Sequence, residues 1–149
     1  MVNDVEPDLG ILLGLAYQAF VEKLNAHLRA SGFEDLGRWY GYVFRALRAE
    51  PLSLRELADR LEMTSAGAMK IIDEMEARGY VERVPDASDG RVKRLRLAAR
   101  GKKALSTARR FHASFERDLG ATRAKQLRAI LTSIAALDPA DRAPVLRPM

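Results

Sequence analysis

Residues 51–97 read P-L-S-L-R-E-L-A-D-R-L-E-M-T-S-A-G-A-M-K-I-I-D-E-M-E-A-R-G-Y-V-E-R-V-P-D-A-S-D-G-R-V-K-R-L-R-L. Leu54, Leu57, Ala58 and Leu61 fall at i, i+3, i+4 and i+7, a single apolar stripe at helical period. Ser53 with Glu56 three residues on makes a capping box, so the helix starts there. Glu62 to Thr64 leave room only for a turn. Thr64 or Ser65 can cap a second helix that ends at Gly79, with Ala68, Ile71, Ile72 and Met75 as its buried stripe. Roughly opposite that stripe, at about 100° per residue, lie Ala66, Lys70 and Asp73, flanked by Gly67 and Met69. This outward face is small and nearly neutral at its start, which suits a helix entering a major groove end-first.

After Gly79 the period changes from helical to alternating. Tyr80–Val84 and Val92–Leu97 are strand-like, and P-D-A-S-D-G between them is a cluster of turn formers, so a hairpin follows. In the returning strand Leu95 and Leu97 share one face while Arg94 and Arg96 take the other. From Gly90 through Ser114 there are nine Lys or Arg residues and no Asp or Glu. Helix, turn, helix and basic hairpin are the order of a winged helix-turn-helix.

Four pieces in this order resemble the MarR family of bacterial transcriptional regulators: the L-x-E-L-A-like first helix (Leu54 to Ala58), the D-x-M-E-x-x-G-Y-V-E-R segment (Asp73 to Arg83), the D-x-R of the wing (Asp89, Gly90, Arg91) and the L-x-x-x-G after it (Leu97 to Gly101). The motif-bearing part covers about a third of the chain. Many members of that family place Arg, Gln or Asn on the exposed face of the recognition helix. Here that face offers Ser65, Ala66, Gly67, Met69 and Lys70. The resemblance implies a DNA-binding homodimer, and a crevice between dimer helices and winged domain where small aromatic acids or phenols bind.

The flanks fit that plan. Leu9, Leu12, Leu13, Ala16, Phe20, Leu24 and Leu28 mark a long first helix ended by Ser31-Gly32, its stripe widened by Ile11 and Leu15. A face wider than one core needs suggests a second partner. Leu36–Leu47 makes a second helix rich in aromatics, stopped before Pro51. Beyond the wing, Leu105, Ala108, His112, Phe115 and Leu119 repeat at alternating threes and fours along another long helix broken by Gly120. Leu127, Ile130, Leu131, Ile134 and Leu137 form a last amphipathic helix before a Pro-containing tail.

Composition narrows the function. The chain has 149 residues, no cysteine and a net charge of +5, which excludes disulfides, thiol redox sensing and Cys-based metal sites. The charge is uneven: residues 1–51 carry −2, residues 52–100 carry +1 and residues 101–149 carry +6. A basic wing and C-terminal part beside an acidic N-terminal part is the footprint of a nucleic-acid binder. Acidic residues precede the first apolar run, no cleavage pattern follows, and no segment approaches about eighteen uninterrupted apolar residues, so a cytoplasmic protein with no membrane partner is expected. His27 and His112 without cysteine make a poor zinc set, and no G-x-S-x-G occurs. No catalytic residue, metal ligand or cofactor is expected.

The expected fold class is therefore α+β, mostly α: a winged helix-turn-helix over 36–103 with helical dimerisation segments at 1–35 and 104–149. The expected partner is a pseudo-palindromic double-stranded DNA operator, bound by a homodimer that represses transcription until a small effector releases it. DNA contacts are expected from Thr64, Ser65, Ala66, Gly67, Met69 and Lys70 on the second helix of the motif. Asp89, Arg91, Lys93 and Arg94 would act in the wing, with Asp89 orienting the Arg91 guanidinium. Trp39, Tyr40 and Phe44 are the expected wall of the effector crevice. The alternative is a winged-helix module that sets its basic strip against an acidic protein partner.

Overall fold

The computed structural model describes residues 6–136, and the chain divides into two compact units, 1–34 and 35–149. The first unit is one helix, α1 (Leu9–Ala30). It ends in a Schellman turn: Gly32 at φ +94° donates to the Arg29 carbonyl and Phe33 donates to the Leu28 carbonyl. Leu9, Ile11, Leu12, Leu13, Leu15 and Tyr17 are all exposed in the single chain, so the wide apolar surface anticipated for this helix is present.

The second unit runs α2 (Tyr40–Leu47), α3 (Leu54–Arg60), α4 (Ser65–Ala77), β1 (Val81–Pro85), β2 (Lys93–Leu97), α5 (Ala99–Leu119) and α6 (Ala121–Ile134). The fold is α+β, mostly α, as expected. α3 starts with both halves of the Ser53–Glu56 capping box formed, which satisfies two orphan backbone donors reciprocally. α4 starts at the Thr64 cap and ends at Gly79, φ +78°, in a second Schellman turn to Met75 and Glu76. The two strands pair antiparallel from Val81↔Leu97 to Pro85↔Lys93. A third short piece, invisible to sequence patterning, joins them: Leu52 and Leu95 exchange backbone hydrogen bonds of 3.0 and 2.7 Å.

The core lies under this arrangement. Val43, Phe44, Leu57, Leu61, Ile72, Met75, Tyr80, Val81 and Leu95 are all buried. Leu95 and Leu97 point inward and Arg96 outward, the alternation that a pleated strand imposes. Gly101 lets α5 close on the hairpin, since a Cβ there would sit 2.1 Å from the Tyr80 carbonyl oxygen. On α5 the seam Leu105, Ala108, His112, Phe115 and Leu119 is half-buried throughout. Gly120, φ +86°, separates α5 from α6, where Leu127, Ile130, Leu131 and Ile134 are exposed. Leu137 and the Pro-containing tail lie outside the described residues.

One expected boundary is wrong. α2 begins at Tyr40, not Leu36, because Gly37 forms a turn that receives the Tyr40 amide at 3.1 Å. A Cβ at Gly37 would sit 2.6 Å from the Tyr40 ring, so the glycine belongs to that turn by close approach and not to a helix. Beside it Asp35 gathers a polar cluster. Its carboxylate accepts from the Tyr80 hydroxyl and from Arg100, and its carbonyl accepts from Arg78 at 2.6 Å. Arg78 also meets Glu74 at 2.9 Å and donates to the Tyr40 hydroxyl, which itself donates to Glu74.

Candidate nucleic-acid interface

The turn between α3 and α4 is short because Glu62 adopts φ +50° and Met63 donates back to the Ala58 carbonyl at 3.0 Å. It delivers Thr64 as the N-cap of α4, its hydroxyl oxygen accepting the Gly67 amide at 3.1 Å. Thr64, Ser65, Ala66, Met69 and Lys70 are exposed and Gly67 is half-buried. The face opposite Ala68, Ile72 and Met75 is therefore open to solvent. Free first-turn amides, a hydroxyl cap and one lysine can receive phosphate, and the methyl of Ala66 and thioether of Met69 can meet thymine methyls.

The wing tip is built by carboxylates. Asp86 accepts from the Ser88 hydroxyl at 2.6 Å, from Arg94 Nε at 2.9 Å and from the Asp89 amide at 3.1 Å. The Ser88 hydroxyl, then Arg94, hold its pKa down at about 2. Asp89 accepts the backbone amide of Arg91 at 3.1 Å. That differs from the expectation that Asp89 would orient the Arg91 guanidinium: a carboxylate two residues back bonds the nearer amide and shapes the turn instead. The Arg91 and Lys93 side chains are exposed, with no ion pair among the described residues.

Arg94, expected to contact DNA, is committed elsewhere by the structure. It bridges Asp86 of the wing to Glu56 of α3, the latter at 2.8 Å. Glu56 is held below the usual carboxylate range by the Ser53 amide first and by Arg94 after it. Arg96 pairs with Glu82 across the hairpin at 2.7 Å. Along the chain these cations form a basic strip, but in the fold carboxylates from 8 to 38 residues away neutralise them.

The aromatic wall also requires correction. Tyr40 and Phe44 are buried, with ring centroids 5.4 and 5.7 Å from Tyr80. Tyr40, Val43, Phe44 and Leu47 recur at helical period, and that stripe faces the core. Burial, and then the bond to Glu74, push the Tyr40 hydroxyl well above the usual phenol range. Trp39 is half-buried and packs edge-on against Tyr42 at 5.9 Å. A cleft of about 700 Å³ lies instead between the α2–α3 connection, β2 and α5. Leu47, Pro51, Leu97 and Leu105 give it an apolar floor; Arg48, Lys102, Arg109 and Arg110 stand around it, with the Glu82-paired Arg96 and one carboxylate, Glu50. No helix among the described residues is long and apolar enough to cross a membrane.

Residues 34–92 match the family model described as "MarR family". A curated relative is the exopolysaccharide II synthesis transcriptional activator ExpG of Rhizobium meliloti, 27% identical over 112 residues. That alignment covers 75% of this chain and 58% of the relative, so the chain spans less than two thirds of that protein's length. Among solved structures, MepR of S. aureus bound to ethidium bromide superposes with a TM-score of 0.67 at 20% identity, covering 88% of this chain and 96% of that one. A point mutant of MarR from E. coli, complexed with operator DNA, does so with a TM-score of 0.61 at 22% identity, covering 85% and 92%. At those identities the likeness is one of fold.

Proposed function

We propose that this chain, a MarR-family protein across residues 34–92, is a homodimeric regulator of transcription that binds a pseudo-palindromic DNA duplex. In this reading α4 enters the major groove and the wing tip reaches the neighbouring backbone or minor groove. The observation that carries it is the pairing of a capped, exposed α4 N-terminus with a hairpin tip whose Arg91 and Lys93 side chains form no ion pair among the described residues. Thr64, Ser65, Ala66, Gly67, Met69, Lys70, Arg91 and Lys93 are the contact set. Asp89 and Arg94 shape the wing.

Residues 36–103 would form the DNA-binding part, and 1–35 with 104–149 the dimerisation part. The exposed apolar faces of α1 and α6 support that assignment. Repression is the proposed sign, relieved by a small aromatic or phenolic effector. The cleft over Leu47, Pro51, Leu97 and Leu105 supports an effector site there, since its cations suit the anion of an acidic aromatic and its floor suits the ring.

Binding of the full chain to duplex DNA across a salt series tests the reading. Log affinity should fall linearly and steeply with log salt, as counterion release demands. A shallow slope, with tight binding to an acidic protein instead, would favour an interaction module. A dimer in sedimentation, and a reporter that rises when the gene is deleted, are the accompanying expectations. A reporter that falls would make the protein an activator.

A further inference from the structure

Arg83 stands opposite Leu95 in the hairpin register, so its side chain leaves the sheet on the face that buries Val81, Leu95 and Leu97. A cation on that face must find a partner, and it finds α4. One guanidinium nitrogen lies 2.7 Å from Asp73 and 3.6 Å from the Met69 sulfur, and the other pairs with Glu76. The two carboxylates are more exposed than the arginine that holds them: 60% and 41% against 29%.

Their position on α4 gives this contact a consequence. Seven residues turn a helix by nearly two full revolutions, so Asp73 lies within about 20° of Ala66, and Glu76 within about 20° of Met69. Both carboxylates thus rise from the face that carries exposed Ala66, Met69 and Lys70. Lys70 alone cannot balance two of them. With Arg83 added, the four charges cancel.

We propose that Arg83 is a positioning residue of the DNA interface. It neutralises Asp73 and Glu76 so that the exposed face of α4 can approach phosphate, and it holds the Met69 thioether at that face. The inference rests on the DNA-binding reading above. Arg83 acts through the carboxylates and not as a phosphate ligand, because both terminal nitrogens of its guanidinium are already engaged.

The test is fluorescence anisotropy of a mixed-sequence DNA duplex with the full chain, over a salt series, with folding checked by circular dichroism. R83Q should bind about tenfold more weakly at low salt, the deficit shrinking as salt screens it. R83Q/E76Q restores the local balance and should recover wild-type binding. R83Q/E116Q has the same net charge, but its lost carboxylate lies near the far end of α5, and it should stay weak. Unchanged binding by R83Q, or equal recovery by both double variants, overturns the proposal while leaving DNA binding intact. Weak binding by R83Q/E76Q also overturns it, since Arg83 would then touch phosphate or merely fasten the hairpin. A wild-type chain that binds no duplex removes the DNA-binding reading and this one with it. Should R83Q fail to fold, D73N/E76Q should bind more tightly than E116Q/D118N, its equal in net charge. Equal binding by that pair would overturn the proposal as well.

Discussion

The buried Tyr80 hydroxyl donates to Asp35 over 2.5 Å, and Arg100, bound to the same carboxylate, lies 4.3 Å from the centre of the Tyr80 ring. One acid, one phenol and one cation thereby tie the start of the second unit to β1 and α5. The phenol is pushed up to about 12, first by burial and then by Asp35. Asp35 is lowered, first by the Tyr80 hydroxyl.

These two shifts fix a pH dependence. Because the pKa of Asp35 is depressed in the folded chain, its contribution is present above the ordinary Asp value and is lost as pH falls below that value through the lower folded one. Because that of Tyr80 is raised, its contribution is present below its ordinary 10 and is lost as pH climbs through about 12. Tyr80→Phe should cost about 1 kcal/mol at neutral pH. The gap between wild type and variant in thermal unfolding should narrow at both ends of the pH range. A gap that stays constant from strong acid to strong alkali would mean that the hydroxyl bond contributes nothing.

Two arginines three residues apart should behave differently. Arg91→Ala should leave the melting temperature unchanged and reduce the salt slope of DNA binding by about one contact. Arg94→Ala should lower the melting temperature, because it strands Asp86 and Glu56 and frees the wing from α3. Calorimetry alongside binding isotherms separates the two. Identical behaviour would return Arg94 to the interface.

Gly101→Ala should be among the most damaging single-methyl changes in the chain. The added carbon would meet a backbone carbonyl, not a flexible side chain, so α5 or β1 must shift. Overpacking of this kind costs about 1–3 kcal/mol. Chemical denaturation measures it. A loss below a few tenths of a kcal/mol would show that α5 slides freely on the hairpin.

The cleft yields a prediction opposite to the one that the aromatic residues invite. Lys102→Ala and Arg109→Ala should weaken release of DNA by an acidic aromatic compound, whereas Trp39→Phe should respond as wild type does. Trp39 packs on Tyr42 and is not among the residues lining the cleft. Effector titrations of pre-formed DNA complexes decide this. Loss of response in Trp39→Phe alone would move the site back to α2.

Local chemistry is legible in the sequence and distant chemistry is not. Ser53 with Glu56, the Thr64 cap, the glycines after α1, α4 and α5, and the inward Leu95 and Leu97 all follow from interactions within a few residues. Each stands in the structure where the sequence places it. The start of α2 escapes because helical period alone cannot show that Gly37 packs under a ring. The wing's cations are miscounted as free because Arg94 finds Glu56 across 38 residues. The motif from Asp73 to Arg83 is legible as a resemblance, yet its chemistry emerges only when the fold pairs its first residue with its last. Tyr40 and Phe44 carry their own warning, since aromatics spaced by four on an apolar stripe are core.

The two hydrogen bonds between Leu52 and Leu95 also bear on how the chain folds. The β1–β2 hairpin and the helices α3 and α4 are local structures, able to form on the microsecond scale from neighbouring residues. The Leu52–Leu95 bridge joins residues 43 positions apart and closes a loop around all of them, and the entropy of that closure must be met before its contacts contribute. Substitutions at this bridge should therefore slow refolding more than they speed unfolding, making a single-residue strand pairing the step at which separate elements become one cooperative lobe.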